Sequence, residues 1–203
     1  MKKGGAPLKK ELNDITYLES HPKICQMFRD DGCYSFCEKL QGFHQGVAEA
    51  FALTFDGAKA KLGTIEVQVD EAIVAVVTKM LRTGERWFKS TTTKDIEFRY
   101  YLKPEHNCIT LKRDIPRSYL EEKWQHLLKA ILVYITCDGR YNRVMFYHFK
   151  LMNHFTGRCP LNLPFYLHKS LTRMTHQVQA IPSKVQGRLS HHNLIKIIVF
   201  QEL

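Results

Sequence analysis

The sequence predicts a mainly α-helical fold with a small β element near residues 64–69; α+β is the alternative class. Three observations predict it. Leu120, Trp124, Leu127, Leu128, Ile131, Leu132 and Ile135 form one apolar stripe lasting about five helical turns. Leu167, Leu171, Met174 and Val178 recur with the same period. Thr64-Ile65-Glu66-Val67-Gln68-Val69 instead alternates apolar with polar residues and is rich in β-branched side chains, the pattern of a half-buried strand.

The elements follow in chain order. Residues 1–16 read as a flexible basic arm ahead of a single mostly helical domain over 17–203, with a possible subdivision into 17–104 and 105–203. His21 to Phe55 reads as short helices: Pro22 suits a first helical turn, and Val47, Ala48, Phe51, Ala52 and Phe55 keep helical spacing. Asp56-Gly57 signals a turn. After the strand, Asp70 is a candidate N-cap and Glu71 suits the first turn, where the helix dipole favours an anion. That helix is expected to run through Met80 and Leu81 and to end near Thr83-Gly84.

Gly84 to Pro104 reads as a long ordered loop with at most one short helix, and Cys108 to Leu111 as an edge strand. Ser118 and Glu121 form a capping-box pattern just after Pro116, which places a helix start near Ser118; Asp138-Gly139 ends that helix. A second helix is expected over about 142–156, burying Met145, Phe149, Met152 and Phe155 and stopped by Gly157. Asn162 caps a third, with Pro164 in its first turn. Residues 180–187 read as a loop. The final run from Ser190 fits either helix or strand; because it is apolar to Phe200, it is expected to dock into the core unless the chain continues.

Charge is strongly asymmetric. The chain has 30 Lys and Arg against 20 Asp and Glu, a net charge of +10. Residues 139–203 hold nine of those cations, one acid (Glu202) and six of the ten histidines. A one-sided positive field attracts a polyanion. The candidate phosphate-contacting residues are Arg140, Arg143, Lys150, Arg158, Lys169, Arg173, Lys184, Arg188 and Lys196, interleaved with Tyr141, Tyr147, Phe165 and Tyr166. Lys169, Arg173 and His176 fall at i, i+4 and i+7, one helix face opposite the Leu167 stripe. Such a face can release counterions from several phosphates at once. The histidines are expected to add charge, and tighten binding, below a pH of about 6.5.

Other chemistries find less support. His21, Cys25, Cys33, Cys37 and His44 contain two i, i+4 pairs able to chelate, but lack the Cys-x2-Cys knuckle of most structural zinc sites, so no metal is assigned. Asp30, Asp31, Asp56, Asp70, Glu71 and Asp95 could supply the acids of a two-metal nuclease, yet no spacing singles out a set. No phosphate-cradling glycine loop occurs, no cofactor is implied, and neither Cys137 nor Cys159 has a histidine that the sequence can place beside it. No apolar run approaches the ~20 residues of a membrane span. Six cysteines at uneven spacing, with no leader-like apolar segment at the N-terminus, point to a reducing intracellular compartment, and the basic charge to the nucleus before the cytoplasm.

Five stretches carry a family resemblance: Phe51-Ala52-Leu53-Thr54-Phe55-Asp56-Gly57, Gly84-Glu85-Arg86-Trp87-Phe88-Lys89, Thr136-Cys137-Asp138-Gly139-Arg140-Tyr141, Leu161-Asn162-Leu163-Pro164-Phe165-Tyr166-Leu167, and Leu189-Ser190-His191-His192-Asn193-Leu194-Ile195-Lys196. Across roughly residues 18–203 the chain resembles a plant transposon protein domain found in uncharacterised transposon- and retroelement-associated proteins. Residues 64–81 also resemble, more weakly, the opening of plant mobile-domain-type modules. The resemblance implies a mostly helical domain derived from a mobile element and carries over no catalytic residue. The chain departs from it at Lys79-Met80-Leu81, where such proteins tend to have Gly-Leu-Pro. The leading expectation is therefore a non-enzymatic nucleic-acid-associated domain. A protein-interaction or assembly module, capsid-like and self-associating, is the alternative, and a metal-dependent nuclease or transposase remnant the third.

Overall fold

The computed structural model describes residues 15–40, 44–89, 96–110, 114–137, 142–181 and 191–202. The fold is mainly α-helical with two small antiparallel β pairs. The N-terminal helices are short: α1 (Thr16–Glu19), α2 (Pro22–Asp30), α3 (Tyr34–Glu38) and α4 (Gln45–Thr54). Pro22 opens α2, where its missing N–H costs nothing. The first arm residues, 1–14, lie outside the described residues, and Thr16 already belongs to α1. The buried face of α2 sets Phe28 flat against Phe155, with ring centroids 4.4 Å apart, and edge-on to Tyr134.

The Asp56 carboxylate accepts from the N–H groups of Ala58 and Lys59, closing the turn into a hairpin of β1 (Lys59–Leu62) and β2 (Ile65–Gln68). The predicted strand is thus present, with Val67 and Val69 buried and Ile65 exposed. Its partner β1 is an addition: Lys-Ala-Lys-Leu alternates too, and Ala60 pairs with Val67 on the buried face.

Asp70 caps α5 (Glu71–Thr78) by accepting from Ile73 N–H at 2.8 Å. The helix stops short of the expected Thr83-Gly84 boundary. Thr78 folds its hydroxyl back onto the Val74 carbonyl, Lys79 takes a left-handed φ of 61°, and Met80 turns into the core while Leu81 faces solvent. A left-handed C-cap on a lysine is uncommon.

The capping-box reading at Ser118 is overturned. Arg117–Tyr119 forms a 3-10 turn, Leu120 is extended and bridges Leu102, and α6 (Glu122–Ala130) starts four residues later behind Glu121, with no side-chain cap. Tertiary pairing of the segment 101–103 with 119–121 takes the backbone that the box would have coiled. The helix continues as a π-helical turn over Ile131–Ile135, and the predicted stripe from Trp124 to Ile135 is buried. The expected end at Asp138-Gly139 lies outside the described residues.

Two further corrections concern strands. Cys108–Thr110 form none; the strand is β3 (Asp114–Pro116), paired with β4 (Arg143–Met145). The second core helix therefore begins at Phe146 instead of 142, as α7 (Phe146–Phe155). Gly157, with φ of 72°, follows its end. The third, α8 (Leu163–Ala180), matches its prediction: Asn162 Oδ1 accepts from Phe165 N–H at 2.9 Å, and Leu167, Leu171, Met174 and Val178 are buried. Most of the expected 180–187 loop falls on undescribed residues. The final apolar run is the helix α9 (His192–Glu202), with Leu194, Ile195, Ile198 and Val199 buried.

A single contiguous apolar core draws side chains from Leu18 through Val199. Inside it, Tyr101 donates to Asn153 Oδ1 at 2.6 Å and meets Thr156 Oγ1 at 3.0 Å, while Asn153 donates to the Glu97 carbonyl. Burial pushes the Tyr101 phenol up to about 12. Among the described residues no helix is long and apolar enough to cross a membrane.

Candidate nucleic-acid interface

Helix α8 contains no Asp or Glu, and its outward face is basic. Lys169, Arg173 and His176 are all exposed, as their spacing predicts. They span about 10 Å of helix at 1.5 Å per residue. No carboxylate of the described residues pairs with Lys169 or Arg173.

The other candidates separate. Arg143, on β4, is ion-paired with Asp114 of β3. Lys150 is mostly buried, its Nζ 2.6 Å from Glu85 Oε2. Burial alone would lower its pKa, but Glu85 and Cys159 outweigh that and raise it, so the ammonium is held charged inside the protein. Both lysine and arginine are neutralised by acids from the near-neutral first two thirds of the chain, and neither is free to meet a phosphate. Arg158 is exposed but lies over the Tyr100 ring, at 3.7 Å from its centroid, in a separate cleft. Lys196 is half-buried on α9. Arg140, Lys184 and Arg188 lie outside the described residues, as does Tyr141.

Two cations that sequence reading missed join the α8 face. Arg86 sits over the Phe165 ring at 4.7 Å from its centroid, and Lys169 approaches the same ring at 5.7 Å. Arg82 and Arg86 both bind Glu71, at 3.3 and 2.7 Å. Glu71 is buried at the start of α5 and also accepts from Asn162 Nδ2 at 3.0 Å. Asn162 therefore does two jobs: its Oδ1 caps α8, and its Nδ2 ties that cap to α5 and to the Arg82 carbonyl. Both arginine side chains remain more than half exposed. The surface formed by Arg82, Arg86, Lys169, Arg173 and His176 thus carries four permanent positive charges against one buried carboxylate. Of the two arginines only Arg86 lies in the segment 84–89 that carries the family resemblance; Arg82, two residues before that segment, had no such signal.

Glu71 holds this arrangement. Burial raises its carboxyl pKa, but hydrogen bonds from Asn162 and Arg82 and the charge of Arg86 outweigh burial and lower it. Its stabilisation is present above the unfolded carboxyl pKa of about 4.3 and is lost as pH falls through the lower folded value. We expect Glu71→Gln to cost about 2 kcal/mol at pH 7. The difference from the parent protein in urea midpoint should shrink as the pH drops below about 4. A pH-independent difference would show that the charge of Glu71 is immaterial.

The histidines do not form the reserve of surface charge expected from their number. His148 and His191 are buried; His148 Nδ1 accepts from Met145 N–H, and His191 Nε2 lies 2.8 Å from Ser170 Oγ. His154 Nδ1 accepts from Leu161 N–H, which leaves its proton on Nε2, 2.6 Å from Asp31. Burial lowers the pKa of His168, whose Nε2 lies 3.1 Å from the Gly57 carbonyl. His176 alone of these five faces solvent on the basic surface.

The candidate metal ligands do not assemble. Cys25, Cys33 and Cys37 are buried free thiols, His44 caps α4 through Nδ1, and His21 stacks on His126 at 4.2 Å. Burial and a hydrogen bond to Cys37 push the Cys33 thiol well up, away from the thiolate a metal needs. Of the candidate nuclease acids, Asp56 closes a turn, Asp70 caps α5, Glu71 binds arginines, and Asp95 lies outside the described residues. No group of three or more His, Cys, Asp or Glu able to hold a metal occurs among the described residues.

No family model matches the chain, and no curated protein or solved structure shows significant similarity to it.

Proposed function

We propose that this protein is a non-enzymatic nucleic-acid-associated domain of mobile-element origin, acting inside the cell and within the nucleus. It grips phosphate backbone through Lys169, Arg173 and His176 of α8 together with Arg82 and Arg86. The observation that carries this reading is the outer face of α8, which holds no acid and whose Lys169 and Arg173 have no carboxylate partner among the described residues, while Arg143 and Lys150 elsewhere have one. Unneutralised cations on a rigid helix are what a polyanion can use, because each phosphate contact releases condensed counterions. The resemblance to plant transposon-associated domains agrees with this reading.

The test is a salt titration of affinity for duplex and single-stranded nucleic acid. About three to four phosphate contacts give a slope of log K against log salt near −3. Lys169→Glu with Arg173→Glu should lower affinity by more than about tenfold and flatten the slope by about two. Acidification from pH 7.5 to 5.5 should tighten binding only modestly, because His176 is the one histidine described on this surface. A salt-insensitive affinity, or a double variant that binds as the parent does, removes the proposal.

Assembly is the second reading. It is favoured by Val76 and Leu81, which are 64% and 71% exposed on and just after α5. Self-association that survives the α8 double variant but is lost in Val76→Ser with Leu81→Ser would support it.

A further inference from the structure

A second site lies apart from the α8 face. The C-terminal end of α2, Tyr100, Trp124 of α6 and the turn 154–160 enclose a cleft of about 730 Å3. That volume is within the range of small-molecule sites. Its lining is neither apolar nor of one charge. The Arg158 guanidinium carbon lies over the Tyr100 ring, 3.7 Å from its centroid, and Tyr100 packs in turn against Trp124, with centroids 5.3 Å apart. Asp30 and Asp31 line the same cleft. Asp30 Oδ1 accepts from Gln26, and its second oxygen has no hydrogen bond among the described residues, while Asp31 Oδ1 lies 2.6 Å from His154 Nε2 and Asp31 also meets the buried Cys33 thiol. Trp124 is 6% exposed, and its Nε1–H has no acceptor among the described residues.

A planar guanidinium backed by an aromatic ring is a stacking platform, and bases stack on arginine planes as well as on aromatic faces. Carboxylates accept protons from exocyclic amino groups, as Asp and Glu do from cytosine N4. A cationic ligand is disfavoured, because Arg158 already covers the Tyr100 face. We propose that this cleft binds an unstacked nucleobase bearing an exocyclic amino group, stacked on Arg158 and donating to Asp30. The base comes from a free nucleotide or from an unpaired position in a strand.

Titrating the full chain with GMP, AMP, CMP and UMP at about 0.3 M salt, where the Debye length is well under 10 Å, isolates this cleft from backbone attraction. The three amino-bearing nucleotides should bind at least about tenfold more tightly than UMP. Arg158→Ala and Arg158→Lys should each lose about tenfold or more, since lysine keeps the charge but not the plane. Asp30→Asn should erase most of the preference over UMP. Both residues are exposed, so the thermal midpoint should not move, and the α8 double variant should bind mononucleotides as the parent does. An adenine nonamer binding far more tightly than AMP identifies a strand as the source; equal affinity identifies the free nucleotide. Equal affinities for all four nucleotides, no binding at millimolar concentration, or an Arg158→Lys variant as good as the parent overturns the assignment.

Discussion

Gly84→Ala is expected to destabilise the protein by about 3–4 kcal/mol, well above the typical point substitution. Gly84 has a φ of 92°, and a Cβ there would stand 2.7 Å from the Pro160 carbonyl oxygen and 2.8 Å from two backbone carbons. Backbone cannot give way as the tip of a side chain can, so strain and clash add. The contact is also the hinge of the basic surface. Glu85 N–H donates to the Pro160 carbonyl, Asn162 N–H donates to the Glu85 carbonyl, and Glu85 and Leu161 form a parallel bridge. These bonds seat Arg82 and Arg86 beside the start of α8. Gly63→Ala is the control: its φ is also left-handed, at 64°, but nothing lies within 4 Å of the added carbon. It should cost only about 1–2 kcal/mol. Urea unfolding of the two variants checks the contrast; equal midpoints would mean that the 84–85/160–162 contact carries no weight.

Trp124→Ala is expected to cost about 3–5 kcal/mol, as large aromatic truncations in packed cores do. Trp124 packs against Tyr101 in a T-shaped pair at 5.2 Å as well as against Tyr100, and it is the first residue of the α6 stripe. Its indole N–H makes no hydrogen bond among the described residues, so Trp124→Phe gives up area and shape but no bond. It should cost about 1 kcal/mol or less beyond the lost area, and the ratio of the two variants separates packing from polar terms. A Trp124→Ala change below about 1 kcal/mol would place the indole outside the core.

These two positions show what could be read in advance. Trp124 was legible because its helix repeats an apolar residue every three or four positions, and burial follows from that period alone. Asp70 and Asn162 were legible as caps for a similar reason: each satisfies an N–H three residues away. Gly84 was not. Nothing local marks it as the point where residues 84–85 meet 160–162, some 75 residues on. The box at Ser118 misled because its local bonds compete with the Leu102–Leu120 bridge, and a bridge to distant backbone has no local signature.

The functional surface divides along the same line. Which face of α8 is basic, and that it faces away from the core, is a matter of helical period and was determined by the residues from Lys169 to His176. Which other charges stand beside it was decided only in three dimensions. Arg143 and Lys150 met Asp114 and Glu85 and were neutralised; Arg82 and Arg86, from the near-neutral first two thirds of the chain, were drawn to α8 by the buried Glu71. Net charge is a sum along the chain, whereas a phosphate responds to the charges within a Debye length of it in space. Only the folded arrangement converts the one into the other.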